Sequence, residues 1–542
     1  MFHVKTALVM GLLLSTTAHA QQAPQFSADR IRADVTYLAD DLLEGRNAGT
    51  RGYDIAAKFV AGRYSALGLQ PANNGSYLQD VPFVIATLKP DAKNAIGIGD
   101  RTFINGEDVV LSGTSVYPDQ SETFDVVFVG YGFEDRRYGF DDYAGLDVRG
   151  KVVAVLGSLP GGAPSDVVAD LANKRGEIAE AKGAMGMLSI ATPAALKQTP
   201  WDQVKVYGSV PRMRWLHPDG TPNVIAPKLK VGAYLGPKAA EALLDGSAMP
   251  SEKLFATIAD LNARPKGFAI PGKFSFERHS KVEKLRSPNV LGLLPGSDPK
   301  LADEVVLFMA HLDHDGIVAP VNGDAIMNGA MDNASGVAIM LEAARAFAES
   351  GSRPKRSILF AAVTAEEDGL LGAEYLAKYP VLNGKKVVAV VNLDMPILTY
   401  DFQDLIAFGA EHSTMGPAVE RAVQSIGIKL SPDPVPEQGL FTRSDHYMFV
   451  KEGIPSVFLA TGWAGPGKKA FEDFIANHYH KVSDEADLPI DWKAATKFAQ
   501  INYLIGRELA DAAVAPRWYE GSYFGDKFAS KRPKAPNPPA NP

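Results

Sequence analysis

Apolar positions along residues 26–69 recur with a helical period: Ile31, Val35, Leu38 and Leu42 are spaced by three or four, and a second helical stretch covers residues 53–67. Between them Glu44-Gly45-Arg46-Asn47-Ala48-Gly49 reads as a turn-rich loop. Beyond Asn74-Gly75 the rhythm changes to short alternating or wholly apolar runs broken by Gly and Pro, the pattern of strands and turns. Strands are predicted over residues 124–132, 150–156 and 186–190, and helices over 166–182 and, with Pro237 in its first turn, 237–244. From residue 288 the order is strand, loop, helix, repeated. Strands fall at 304–310, 356–363, 386–393 and 455–460, and helices at 335–349, 369–379 and 492–513. That alternation predicts an α/β domain whose mostly parallel, mixed sheet is flanked by helices. The chain then divides into a leader over 1–20, an N-terminal part of the main domain over 21–109 and an inserted α+β module over 110–265. The rest of the main domain covers 266–515. A tail over 516–542 ends in Lys531-Arg532-Pro533-Lys534-Ala535-Pro536 and is expected to be disordered.

Length supports several units, since 542 residues exceed what one hydrophobic core organises. A formal charge of −8 argues against binding to phosphate backbones or anionic lipid, so nucleic acid is not an expected partner. The absence of cysteine removes thiol nucleophiles, disulfides and thiolate metal sites, leaving His and carboxylates as the only strong metal ligands. At the N-terminus Lys5, the apolar stretch Ala7 to Leu14 and Ala18-His19-Ala20 have the pattern of a cleavable export signal. No later stretch reaches the roughly 20 apolar residues of a membrane span, so no insertion is expected once the leader is removed. An exported chain without cysteines fits a bacterial periplasm or the exterior.

The candidate chemistry lies in the α/β part, which holds six of the eight His outside the leader. In open α/β sheets sites form beyond the carboxyl ends of the strands. His311-Leu312-Asp313 follows one predicted strand, Glu366-Glu367 a second, and Asp394 a third, while Asp332 stands at the entry to a helix. Each also has an ordinary reading. Asp332 suits a helix N-cap, Thr364-Ala365-Glu366-Glu367 matches a capping box, and Asp394 before Met395-Pro396 suits a turn. Gly462-Trp463-Ala464-Gly465-Pro466-Gly467-Lys468-Lys469 has the spacing of a phosphate-binding loop but lacks the final Ser or Thr, and no Gly-x-Ser-x-Gly elbow is present.

Taken together, His311-x-Asp313, Asp332-Asn333-x-Ser335-Gly336, Glu366-Glu367, Asn392-Leu393-Asp394 and Tyr479-His480-x-x-x-Asp484 resemble, in order and spacing, the M28 family of zinc peptidases. The resemblance implies two zinc ions, with Asp332 bridging, His311 and Asp394 completing one site and Glu367 and His480 the other. It implies Glu366 as general base, with hydrolysis by a hydroxide between the metals, and Asp313 as the carboxylate that orients His311. The three carboxylates return three of the four positive charges of two zinc ions, and a hydroxide balances the last. Tyr479 matches a tyrosine that donates its phenol to the tetrahedral intermediate, though a core tyrosine fits the position equally. His478 competes with His480, whose spacing to Asp484 favours it; His314 and His446 are read as structural or supporting. The module around Val129-Gly130-Tyr131-Gly132 and Tyr143 to Val152 looks like the protease-associated domain inserted in this family. The implied activity is an exported zinc aminopeptidase acting on peptides. A carboxypeptidase on the same centre, with Arg443 or another cation holding the terminal carboxylate, and a non-catalytic peptide-binding protein are the alternatives.

Overall fold

Six consecutive apolar residues, Val305 to Ala310, fill the strand Glu304–His311, and all six are buried. Side chains alternate across a strand, so Val306, Phe308 and Ala310 enter a core shared with helices Gly336–Glu349 and Trp492–Asp511, while Val305, Leu307 and Met309 enter a second core on the opposite face. A strand covered on both faces belongs inside a parallel sheet. In the computed structural model, which describes residues 24–538, Glu304–His311 indeed lies between Ser357–Val363 and Lys386–Leu393, parallel to both. Ser456–Thr461 continues the parallel set beside Lys386–Leu393, and Asp404–Phe408 closes onto it antiparallel. On the other side Ser357–Val363 meets the end of a 27-residue strand, Phe268–Leu294, antiparallel. The mixed α/β sheet expected from the alternation is therefore present. The leader expected over residues 1–20 lies outside the described residues. Among those described, no helix is long and apolar enough to cross a membrane.

The long strand is the hinge of the architecture, and no periodicity in the sequence announced it. Its first half pairs with Asp119–Phe128 and Ala95–Ile98 in a second sheet; its second half pairs with Leu78–Leu88 in the first. The second sheet runs on through Val152–Leu156, Gly186–Ile190 and Val231–Leu235, all parallel, to Val109–Leu111. This sheet takes in residues from Ala95, earlier than the division at 110. Arg212–Trp215, from within the module, pairs instead with Leu78–Leu88 of the first sheet, and the Trp215 indole donates to Glu374 Oε2 at 2.8 Å. The module is thus tied into the main domain at several points. The helix expected over 166–182 is two, Ser165–Asn173 and Arg175–Ala181, broken at Lys174.

The tail overturns the expectation of disorder from 516 onward, as far as the described residues run. Trp518 and Phe524 are buried, the Trp518 indole donates to the Gly453 carbonyl at 2.9 Å, and Tyr523–Phe528 is a short helix. Tyr523 and Lys527 both donate to Asp170, at 2.7 and 2.5 Å, so the tail crosses from the main domain to the module. Its aromatic residues bury enough apolar area to order a segment whose Pro-rich end suggests the opposite. Trp518→Ala is expected to cost about 3–5 kcal/mol of stability, read as a lower midpoint in denaturant unfolding.

Candidate metal centre

Three strands deliver their last residues or the loops beyond to one edge of the first sheet. His311 ends its strand, Asp394 follows Lys386–Leu393 directly, and Glu366-Glu367 follow Ser357–Val363 after a turn through Ala365. Asp332 comes from the turn before helix Gly336–Glu349, and its side chain caps nothing; His480 comes from the turn after helix Gly467–Asn477. Nor does Thr364 start a helix, since its hydroxyl meets that of Ser287 at 2.6 Å.

These five side chains meet. His311 Nε2 lies 3.0 Å from Asp394 Oδ1 and 3.2 Å from Asp332 Oδ1, while His480 Nε2 lies 3.4 Å from Asp332 Oδ2 and 3.3 Å from Glu367 Oε2. Asp332 therefore stands between two pairs, one oxygen toward each. Ala365, Met395 and His480, at or beside these groups, hold φ of +54°, +45° and +50°. Left-handed backbone costs a non-glycine residue about 1–2 kcal/mol, and such strain is typically carried where a side chain must be aimed.

A surrounding layer holds the five in place. Asp484 accepts from the Met331 and Asp332 amides, both at 2.9 Å, which fixes the turn that carries Asp332. The Ser444 hydroxyl donates to Asp394 Oδ2 at 2.5 Å and receives the Asn392 amide at 2.7 Å. Asp313 acts differently from the role expected of it: its main-chain carbonyl, not its carboxylate, receives His311 Nδ1 at 3.2 Å. The carboxylate instead accepts from the Glu366 and Glu367 amides, both at 3.2 Å, and so pins the turn bearing the two glutamates. The buried Arg46 guanidinium donates to the carbonyls of Leu38, Leu312, Asn328 and Gly329, stitching the N-terminal loop under the site.

The donor set fits a cation. A carbonyl only accepts, so the hydrogen of a neutral His311 sits on Nδ1 and the lone pair of Nε2 faces two carboxylate oxygens, an arrangement that repels unless something positive lies between. The same two oxygens also favour a positively charged ring. Burial opposes that charge, but Asp394 and Glu366 outweigh it and hold His311 well above the usual imidazole range. His480 is held up to about 10 in the same way, by Glu367, Asp332 and Asp315 against burial. Burial, with Asp332 and Asp394 adding, raises Glu367 to about 7, and burial beside Asp394 and Glu367 drives Glu366 well above the carboxylate range.

The remaining candidates sort themselves by contact. His478 turns away, its Nδ1 against the Ser483 carbonyl at 3.0 Å and hydroxyl at 3.1 Å. The Tyr479 ring lies 4.0 Å, centroid to centroid, from that of His480, and burial first, then Asp332 and Glu367, push its phenol up. His446 packs between Phe441 and Phe458, and burial lowers it to about 3, a neutral ring in an apolar setting. Arg46 and Ser444 carried no signal in the sequence that could have placed them here, and the one for Asp484 was only its spacing from His480. A cavity of about 1090 Å³ is lined by Gly369, Leu370 and Arg443 of the main domain and by Leu159, Val168 and Lys174 of the module; none of the five side chains above, nor Glu366 or Tyr479, lines it.

The sequence pattern described as peptidase family M28 matches residues 289–505. A probable glutamate carboxypeptidase of Arabidopsis thaliana, AMP1, is 27% identical over 392 residues, 67% of this chain and 51% of that protein. The chain spans about half the length of the curated relatives it matches over most of its own. A probable zinc metalloprotease of Pyrenophora tritici-repentis is 45% identical over 76 residues, 14% of this chain and 17% of that protein. Among solved structures, the aminopeptidase from Aneurinibacillus sp. strain AM-1 superposes with a TM-score of 0.52 at 19% identity, covering 90% of this chain and 95% of that one, a likeness of fold.

Proposed function

We propose, on the premise that the chain belongs to peptidase family M28, whose pattern its residues 289–505 match, that this protein is an exported zinc exopeptidase of the aminopeptidase type. The observation that carries the reading is Asp332, one oxygen toward His311 and Asp394 and the other toward His480 and Glu367. That arrangement supports two neighbouring metal positions with a shared carboxylate. His311 and Asp394 would hold one zinc, Glu367 and His480 the other, with Asp332 between. When bound, zinc supplies a Lewis acid for the scissile carbonyl and lowers the pKa of water toward 7.

The chain's own residues do the rest. No hydrogen bond from the described residues reaches the Glu366 carboxylate, and with cations offsetting the burial and like charges that raise it, it would be ionised and able to take a proton from water and return it to the leaving amine. Asp313 keeps that carboxylate in place through the amide of its own residue. The Tyr479 phenol, whose ring lies against that of His480, is the candidate donor to the oxyanion. The second-sheet module is read as a protease-associated domain that walls the cavity of Gly369, Leu370 and Arg443 and screens what enters.

A second reading, carboxypeptidase, has its own support: Arg443 is exposed, lines that cavity and precedes Ser444, which holds Asp394. Dipeptides blocked at one end or the other separate the two. The aminopeptidase reading predicts that acetylating the N-terminus abolishes hydrolysis and that amidating the C-terminus does not; the reverse result would make the enzyme a carboxypeptidase. Hydrolysis of neither, with no zinc bound, would leave only a peptide-binding role.

A further inference from the structure

His314 lies three residues beyond His311, at the start of the loop before the hairpin Gly316–Val321 and Asp324–Met327, and is completely buried. Its Nδ1 is 2.8 Å from Glu367 Oε1, while its Nε2 is buried with no hydrogen-bond partner. An ionised carboxylate only accepts, so the single hydrogen of a neutral ring must be on Nδ1, and the bare nitrogen is Nε2. The tautomer and the contact agree.

The ring is clamped where it stands. Gly329, at φ +58°, presses on its face: a Cβ there would come within 2.6 Å of both Cγ and Cδ2 of His314. The His480 ring meets it edge-on at 5.7 Å between centroids. On the main chain, the His314 amide donates to the Arg46 carbonyl at 3.4 Å and its carbonyl accepts from the Asn47 side chain at 3.3 Å. A donor held from all sides fixes the rotation of the carboxylate it binds. With Oε1 engaged, Glu367 presents Oε2 toward His480 Nε2, 3.3 Å away, and so toward the side where a cation would lie.

We infer that His314 is the positioning residue of the second metal position, donating from Nδ1 to Glu367 Oε1 so that Glu367 offers one oxygen, Oε2, to zinc. The inference rests on the two-metal reading above. It differs from the usual support of a metal site, in which a carboxylate or carbonyl orients a ligating imidazole; here an imidazole orients a ligating carboxylate.

Three substitutions test it, with zinc stoichiometry and dissociation constants measured by chelator competition and folding checked by thermal unfolding. Asn places an amide N–H close to the position of Nδ1, Gln places one nearer the position of Nε2, and Leu places none. His314→Leu and His314→Gln are expected to weaken the second zinc by about 10–100-fold with the first retained, whereas His314→Asn stays within about threefold of the wild type. Should the Leu variant fail to fold, the contrast between Asn and Gln still decides. Equal weakening in all three, or none in any, overturns the role of the Nδ1 donor. A wild-type protein that binds no zinc would instead overturn the metallopeptidase reading itself, so the two failures are told apart before any variant is made.

Discussion

Replacing Glu366 by alanine is expected to slow peptide hydrolysis by about 10²–10⁴-fold while leaving the zinc content unchanged. The two halves of that result have separate causes. Glu366 shares a turn with Glu367, and both amides are held by Asp313, yet only the Glu367 carboxylate touches the other candidate ligands. Removing the Glu366 side chain takes away a proton acceptor without disturbing a ligand. Kinetics on an unblocked dipeptide, paired with metal analysis of the same sample, measure both. A variant with full activity would remove Glu366 from the chemistry; one that lost zinc as well would make it a ligand.

Asp332→Ala should have the larger effect, because both proposed metal positions share that carboxylate. Loss of both zinc ions and of detectable hydrolysis is the expected outcome. The turn itself should persist, since the Met331 and Asp332 amides donate to Asp484 from the main chain and need no side chain at 332. Stability provides an independent reading. Zinc at 100 times its dissociation constant adds about 2.7 kcal/mol per site to the unfolding free energy of a protein that binds it only when folded. That increment should be present in the wild type and absent in the variant. A variant that kept two zinc ions would place the bridge elsewhere.

What was legible in the sequence was the part governed by short-range pattern. Runs such as Val305 to Ala310 and Ile358 to Val363 read as buried strands, and the groups just beyond them, His311 and Glu366-Glu367, had to share an edge because parallel strands end on the same side. His480 over His478 could be argued from spacing to Asp484, and the structure turns His478 toward Ser483. The capping readings of Asp332 and Thr364 were equally good local patterns and are not realised, because tertiary partners claim both side chains. Less legible was anything set by distant contacts. Phe268–Leu294 spans two sheets because partners as far as 212 residues away pair with its two halves, and the division at 110 missed the early strands for the same reason. The tail reads as Pro-rich and charged, yet Trp518 and Phe524 fold it back onto the domain. Asp313 was expected to act through its carboxylate; sequence shows which residue is near a ligand but not whether main chain or side chain makes the bond. His314 is one more histidine in a histidine-rich loop until Glu367, 53 positions away, is seen beside it.

Anomalous scattering at the zinc edge from crystals of the zinc-loaded protein tests the central claim most directly. Two peaks are predicted on either side of Asp332, roughly 3.5–4 Å apart, one beside His311 and Asp394 and the other beside Glu367 and His480. A single peak, or peaks that leave Asp332 outside the coordination of either metal, would contradict it.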